Sequence, residues 1–368
     1  MIPYNKFLYI KIFLGLFWVG VHLYLSNKLG VKIVYDSRRY LDYAQFIINH
    51  GIHFSGHSAR YLGYSFILTL VHEINNNYAL IVVLQSLVSG LAIIALYKIT
   101  RYLTLSETAA SMVAFFCIAW VELPSWNFYI MTESLFISFY IFAFYLLLFS
   151  HKWWQYLVCV FVLAYLLILR PNGFIPSMAA TAYLVRKLWL EHPVWRKYLV
   201  AGTVSFLATI IILLNNYLLT TFKIIEVYKR GDIIFGYYNL LIYPDSTRVS
   251  TTPYPLLNII FFLIENLAYL LKAGSLKVFY FFAHIKPFYS FFHNLFVIAT
   301  LLPVYVFAFR AKLSFKPSFL FIYTLIFLQT AMVFLTTEDW DGRFLMPILP
   351  FILLLSACGL GTYEQIKE

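Results

Sequence analysis

The stretch YALIVVLQSLVSGLAIIALYKITR, Tyr78–Arg101, carries no charge until Lys98 and Arg101 close it. A helix of about twenty apolar residues matches the hydrocarbon thickness of a bilayer, at ~1.5 Å of rise per residue. In that solvent a helix satisfies all of its own backbone hydrogen bonds. Runs of the same kind stand at about 7–26, 106–123, 131–150, 153–170, 172–188, 197–222, 289–309, 316–336 and 344–361. The expected fold is therefore an all-α polytopic membrane protein with about ten transmembrane helices. Composition agrees: of 368 residues, 62% are hydrophobic and 12% charged. That is about half the charge of ordinary globular usage, and one soluble core could not hide so much apolar surface. With no soluble domain, repeat or linker in view, residues 1–368 read as one integral membrane domain.

Orientation follows from the short loops, where cations mark the cytoplasmic side. Lys98, Arg101, Lys152, Arg186, Lys187, Arg196, Lys197, Arg310, Lys312 and Lys316 fall at alternate ends of the runs. The opposite short loops hold Glu122, Glu133, Glu338, Asp339 and Asp341, with Arg170 and Arg343 as their cations. Both termini are then expected to be cytoplasmic, the first run being a retained anchor without a small-residue cleavage site. The long segments 27–77 and 223–288 become outer loops with amphipathic juxtamembrane helices, including Leu256–Leu271. Tyr243-Pro244-Asp245 and Thr252-Pro253-Tyr254-Pro255 in the second loop carry turn chemistry.

The net charge of +11 extends to those outer loops. It suits membrane lipids or a phosphate-bearing ligand; no nucleic-acid partner is expected. Cys117, Cys159 and Cys358 lie inside apolar runs, where thiols behave as small hydrophobes. The 30 Tyr and 37 Phe suit interfacial anchoring.

The candidate chemistry begins at Val34–Ala44, VYDSRRYLDYA, just after the first run. At 100° per residue, Asp36, Arg39, Tyr40, Tyr43 and Ile47 share one helix face, while Arg38, Asp42, Gln45 and Asn49 take the other. One face thus offers a carboxylate, a guanidinium and aromatic surface. The plainer alternative makes Asp36 a helix N-cap. His57 and Arg60, in GHSARYLGY (Gly56–Tyr64), can contact a phosphate. Glu133 opens the fourth run and Arg170 closes the fifth, while Arg343 opens the last; ionisable groups at such depths usually face a cavity or a partner. For the two arginines, snorkelling to the interface is the alternative. Lys286 precedes the eighth run and Tyr289 opens it; they can pair with or donate to a phosphate, or simply belong to an aromatic belt. His50, His53 and His57 follow no common ligand spacing, so no metal site is expected, although Asp339-Trp340-Asp341 leaves a divalent cation open.

Several short motifs occur in order: an acid in the first outer loop, RYLGY at Arg60–Tyr64, TESLF at Thr132–Phe136, LRPNG at Leu169–Gly173 and GRFLMPILP at Gly342–Pro350. Together they resemble the GT-C glycosyltransferases, which include protein O-mannosyltransferases and lipid A aminoarabinose transferases. The Asp-Glu pair of the O-mannosyltransferase first loop stands here as Asp36-Ser37, outside that branch's pattern. The resemblance implies a GT-C-like fold and an inverting transfer from a polyprenyl-phosphate-linked sugar on the outer face of the membrane. Asp36 would be the general base and Glu133 the second acidic position near the acceptor. Arg60, Arg170, Lys286 and Arg343 would stabilise the leaving phosphate, with Arg39, Tyr40, His57 and Tyr289 as further substrate contacts. Small members of this layout build cell-surface polysaccharide or lipopolysaccharide, which implies a glycolipid or polysaccharide acceptor and the inner membrane of a bacterium. The competing readings are a polysaccharide polymerase or ligase and a lipid-linked sugar flippase; a transporter would carry charges or broken helices at mid-bilayer.

Overall fold

A computed structural model describes residues 4–54, 56, 58–74, 77–221, 224–237, 240–241 and 252–360. Helix α1 (Tyr4–Leu29) leads into α2 (Tyr35–His50) and α3 (Leu62–Ile74), the two amphipathic pieces of the first polar stretch. Then come α4 (Ala79–Thr104), α5 (Glu107–Ala119), the short α6 (Glu122–Ser125) and α7 (Glu133–Phe149). Helices α8 (Trp153–Leu169), α9 (Phe174–Glu191), α10 (Arg196–Thr221) and α11 (Ile224–Lys229) follow. The chain continues through α12 (Pro255–Glu265), α13 (Leu267–Ala283), α14 (Phe291–Arg310), α15 (Pro317–Leu335) and α16 (Leu349–Leu360). Among the described residues the only β pairing is three isolated bridges.

Each of the ten apolar runs holds a helix. Among the described residues, four are long and apolar enough to cross a membrane: α1 from Phe7, α4, α14 and α15. The number rises to six if each of two bent pairs is one span: α5 with residues Glu122–Phe128, bent by 55°, and α12 with α13, bent by 94°. The chain is thus an α-helical, multi-pass membrane protein. Helices α7 and α8 have 17 residues each, ~26 Å, at the short end of spanning length. Helix α16 has only 12 residues. The apolar run read as 344–361 starts as buried turns, because Pro347 and Pro350 lack the N–H that a continuing helix needs.

The amphipathic stretch read as Leu256–Leu271 is likewise not one surface helix. It breaks at Asn266, whose side-chain amide donates to the Phe262 carbonyl at 2.9 Å and competes with the helical ladder. The turn residues Tyr243-Pro244-Asp245 lie outside the described residues.

By its internal contacts the chain divides into two compact units, 1–181 with 303–322 and 346–368, and 182–302 with 323–345. In the first, α4 packs on α5 and α7, α7 on α8, α3 on α2 and α8, and α16 on α4 and α5. Phe144 stacks on Phe321 with ring centres 4.5 Å apart, and Phe351 closes on the same ring pair. The segment after α1 is pinned by Lys32, which donates its N–H to Phe128 O at 2.8 Å and accepts from Ile130 N at 2.9 Å. In the second unit, Tyr228, Ile233, Ile234, Ile259, Phe262 and Leu270 form an apolar core.

Gly173 shows how tightly the first unit is built. It follows α8 in a 3₁₀ turn, and a Cβ there would collide with the Leu166 carbonyl, a backbone atom that cannot rotate away. Gly173→Ala is expected to destabilise the detergent-solubilised protein by about 1–3 kcal/mol. Gly20→Ala, where nothing stands within 4 Å, is expected to be neutral or slightly stabilising. Thermal midpoints of the two variants beside the parent check both expectations.

Candidate functional site

Asp36 is not the helix N-cap. Val34 holds the cap position of α2, its N–H donating to Ser37 Oγ at 2.9 Å. Asp36 sits in the first turn, where the unpaired backbone N–H groups favour an anion. The facial pattern read from the sequence holds. Tyr40, Tyr43 and Ile47 are buried, Asp36 and Arg39 are half-buried, and Arg38, Asp42, Gln45 and Asn49 are exposed. Arg39 reaches Asp36 Oδ1 at 3.6 Å.

The buried side of α2 packs on α3, and its Tyr40 lies within electrostatic reach of two charged motifs further along the chain. Glu133, the first residue of α7, is 1% exposed and accepts from Arg170 Nη1 at 2.9 Å. Thr132 Oγ1 donates to the other carboxylate oxygen of Glu133 at 3.3 Å, and the Arg170 guanidinium lies 5.2 Å from the Phe136 ring centre. Arg170 stands where it does because Pro171 ends α8 and turns the chain. Tyr40 joins this centre electrostatically. Burial raises its hydroxyl well above the usual tyrosine value, and the carboxylate of Glu133 and the Tyr61 hydroxyl raise it further, while Arg170 acts the other way. The hydroxyl therefore stays a hydrogen-bond donor at any physiological pH. Tyr61 and Tyr64 pack against the Tyr40 ring at 5.1 and 5.4 Å. Thus Glu133, Arg170 and Asp36 all lie within electrostatic reach of the Tyr40 hydroxyl, and Arg39 reaches Asp36. Arg60 is half-buried in the 3₁₀ turn Ser58–Tyr61 just ahead of α3, and His57 lies outside the described residues.

A polar network missed in the sequence supports this centre. Tyr64 donates to Gln85 Oε1 at 2.9 Å, and Gln85 Nε2 donates to the carbonyls of Asn127 and Tyr129. Asn127 in turn bonds His22 and accepts from Ser134. The available signal was Gln85 itself, an amide in the middle of the apolar run Tyr78–Arg101, where an unpartnered amide is costly.

Lys286, Tyr289 and Arg343 belong to the second unit. Lys286 is sealed: its ammonium donates to Glu338 Oε1 at 2.9 Å and to Asp339 O at 2.8 Å, with both side chains fully buried. Arg343 Nε donates to Asp339 Oδ2 at 3.0 Å, and its backbone N–H donates to Asp341 Oδ1. Tyr289 is half-buried against His293, ring centres 4.5 Å apart. Glu338 also bridges backbone, its N–H donating to Ile233 O and its carbonyl accepting from Phe235 N. Among the described residues no three His, Cys, Asp or Glu side chains gather as metal ligands. Compared with known proteins, the chain matches no family model, no curated protein and no solved structure.

Two tests follow from these charges. Arg170→Ala leaves a buried carboxylate without its guanidinium and is expected to cost about 3–5 kcal/mol. Arg170→Met combined with Glu133→Gln, which removes both charges, is expected to recover most of the lost thermal midpoint. The second test is pH. Burial raises Glu338 to about 7 and, with the neighbouring Asp339, raises Asp341 to about 8. Burial pushes Asp339 up as well, but Arg343 and bonds from Asp341 outweigh it and hold that carboxyl below its ordinary value. The folded chain therefore retains protons on Glu338 and Asp341 that the unfolded chain releases. Their contribution to stability is complete at low pH and is lost as pH rises from about 4 to 8. A thermal midpoint that falls between pH 5 and 8, with a shallower slope in Asp341→Asn, is the expected result.

Proposed function

We propose that the chain is an inverting glycosyltransferase of the GT-C type. It moves a sugar from a polyprenyl-phosphate donor to a glycolipid or polysaccharide acceptor at the outer face of a bacterial inner membrane. In this reading all ten apolar helices are spans and both termini are cytoplasmic. The observation that supports it is the grouping of a half-exposed acid, Asp36, with the buried Glu133–Arg170 pair and the Tyr40 hydroxyl.

The division of labour follows from burial. Asp36 reaches solvent and accepts the proton of the acceptor hydroxyl. The freed oxygen bonds to the anomeric carbon as the carbon–oxygen bond to phosphate breaks, and the electron pair leaves on polyprenyl phosphate. Glu133, already held by Arg170, orients Tyr40 and the acceptor side of the site and takes no proton. Positive charge for the leaving phosphate is best supplied in the same unit by the half-buried Arg39 and Arg60. Arg343 and Tyr289 belong to the second unit, where Arg343 is held by Asp339 and Tyr289 stacks on His293.

Asp36→Asn keeps the size of the side chain and removes the base. With a panel of polyprenyl-phosphate sugars, release of polyprenyl phosphate is expected to fall about 10²–10⁴-fold, at an unchanged thermal midpoint. Full turnover in that variant ends the assignment.

A further inference from the structure

In the first unit a groove of about 720 Å³ lies between α1 and α4, within the range of small-molecule sites. Its base is apolar and buried, formed by Leu14, Ala114 and Ile118. Gly15 helps to make it hollow, with nothing within 4 Å of where a Cβ would stand, and Gly90 lets the Trp18 indole pack down on α4. Leu91 and Ile94 on the α4 wall are more than half exposed, so the groove is open along its side.

One end of the groove is cationic. Lys11, Lys98 and Arg101 line it. Glu107 stands nearby, 2.8 Å from Arg101 Nε and 3.7 Å from Lys11 Nζ, and also accepts from the Tyr97 hydroxyl. Three cations thus face one carboxylate. The exposed Lys98 has the Tyr145 ring at 5.8 Å and no ion pair among the described residues. Basic pockets between membrane helices attract anionic headgroups, and a hollow apolar wall beside them accepts acyl chains.

We propose that this groove binds an anionic membrane phospholipid, its phosphate at Lys98, Lys11 and Arg101 and its acyl chain along Gly15, Leu87 and Leu91. The site is separate from the candidate catalytic centre. Lys11 lies ~27 Å along α1 from Leu29, the end from which the chain runs on to Asp36. The proposal therefore stands or falls independently of the transferase reading.

The test uses the full chain in a neutral detergent. Phosphatidylglycerol is expected to raise the thermal midpoint by about 2–5 °C and to remain bound in native mass spectrometry, while phosphatidylcholine does neither. Gly15→Leu fills open space in the groove, and Lys98→Glu reverses its unpaired charge. Each is expected to abolish the phosphatidylglycerol shift while keeping the lipid-free midpoint within about 1 °C. Should Lys98→Glu fail to fold, Lys98→Gln is expected to weaken the shift. An equal response to phosphatidylcholine, a full response in Gly15→Leu, or a response confined to undecaprenyl phosphate would each overturn the proposal.

Discussion

The ion pair between Glu133 and Arg170 ties the start of α7 to the end of α8, on which α3 packs, and the Glu133 carboxylate acts on the buried Tyr40 and Tyr64 hydroxyls. Two charges buried to this degree each lose several kcal/mol of hydration, and the loss is tolerable only while they remain together. That requirement fixes the neighbours. Pro171 must end α8 where it does, Gly173 must stay without a side chain against Leu166, and Phe136 must keep its ring beside the guanidinium. The network from Tyr64 through Gln85 to Asn127 and His22 extends the same constraint with neutral groups. Each buried amide there finds partners at 2.8–3.0 Å.

The second unit solves a related problem with different residues. Its non-helical backbone after α15 is buried, so the polar groups of that backbone need partners. Glu338 supplies them to Ile233 and Phe235 through its main chain and holds Lys286 through its carboxylate. Lys277 caps the carbonyl of Thr336 at 2.6 Å with Tyr228 beneath it. Gly342 allows the turn, since its φ of +73° is strained for other residues and a Cβ would strike the His284 ring. Charges in this unit hold buried backbone and one another, and the Lys286 ammonium is bonded to Glu338 and Asp339 O.

Burial sorts the chemistry of the proposed transferase in the same way. A base must exchange protons with substrate, which a partly exposed carboxylate such as Asp36 can do and a sealed one cannot. A group that fixes geometry works best where water cannot compete, as Glu133 and Arg170 do.

The sequence by itself determined where the apolar helices lie, four to six of them, among the described residues, long enough to cross a membrane. A long apolar run favours a helix because it can satisfy its own backbone hydrogen bonds, and each of the ten runs carries one. It also determined the buried face of α2, because 100° periodicity places Tyr40, Tyr43 and Ile47 together whatever lies against them. Helix breaks were legible only in part: Pro171 stops α8 as proline chemistry requires, whereas the bend at Asn266 depends on a side-chain bond that no pattern announces. Only the tertiary structure decided which charges are partners. Glu133 and Arg170 are 37 residues apart, and Lys286 and Glu338 are 52 apart. Local composition records a residue's preference for water or hydrocarbon, but the pairing of two buried charges is set by which helices pack together.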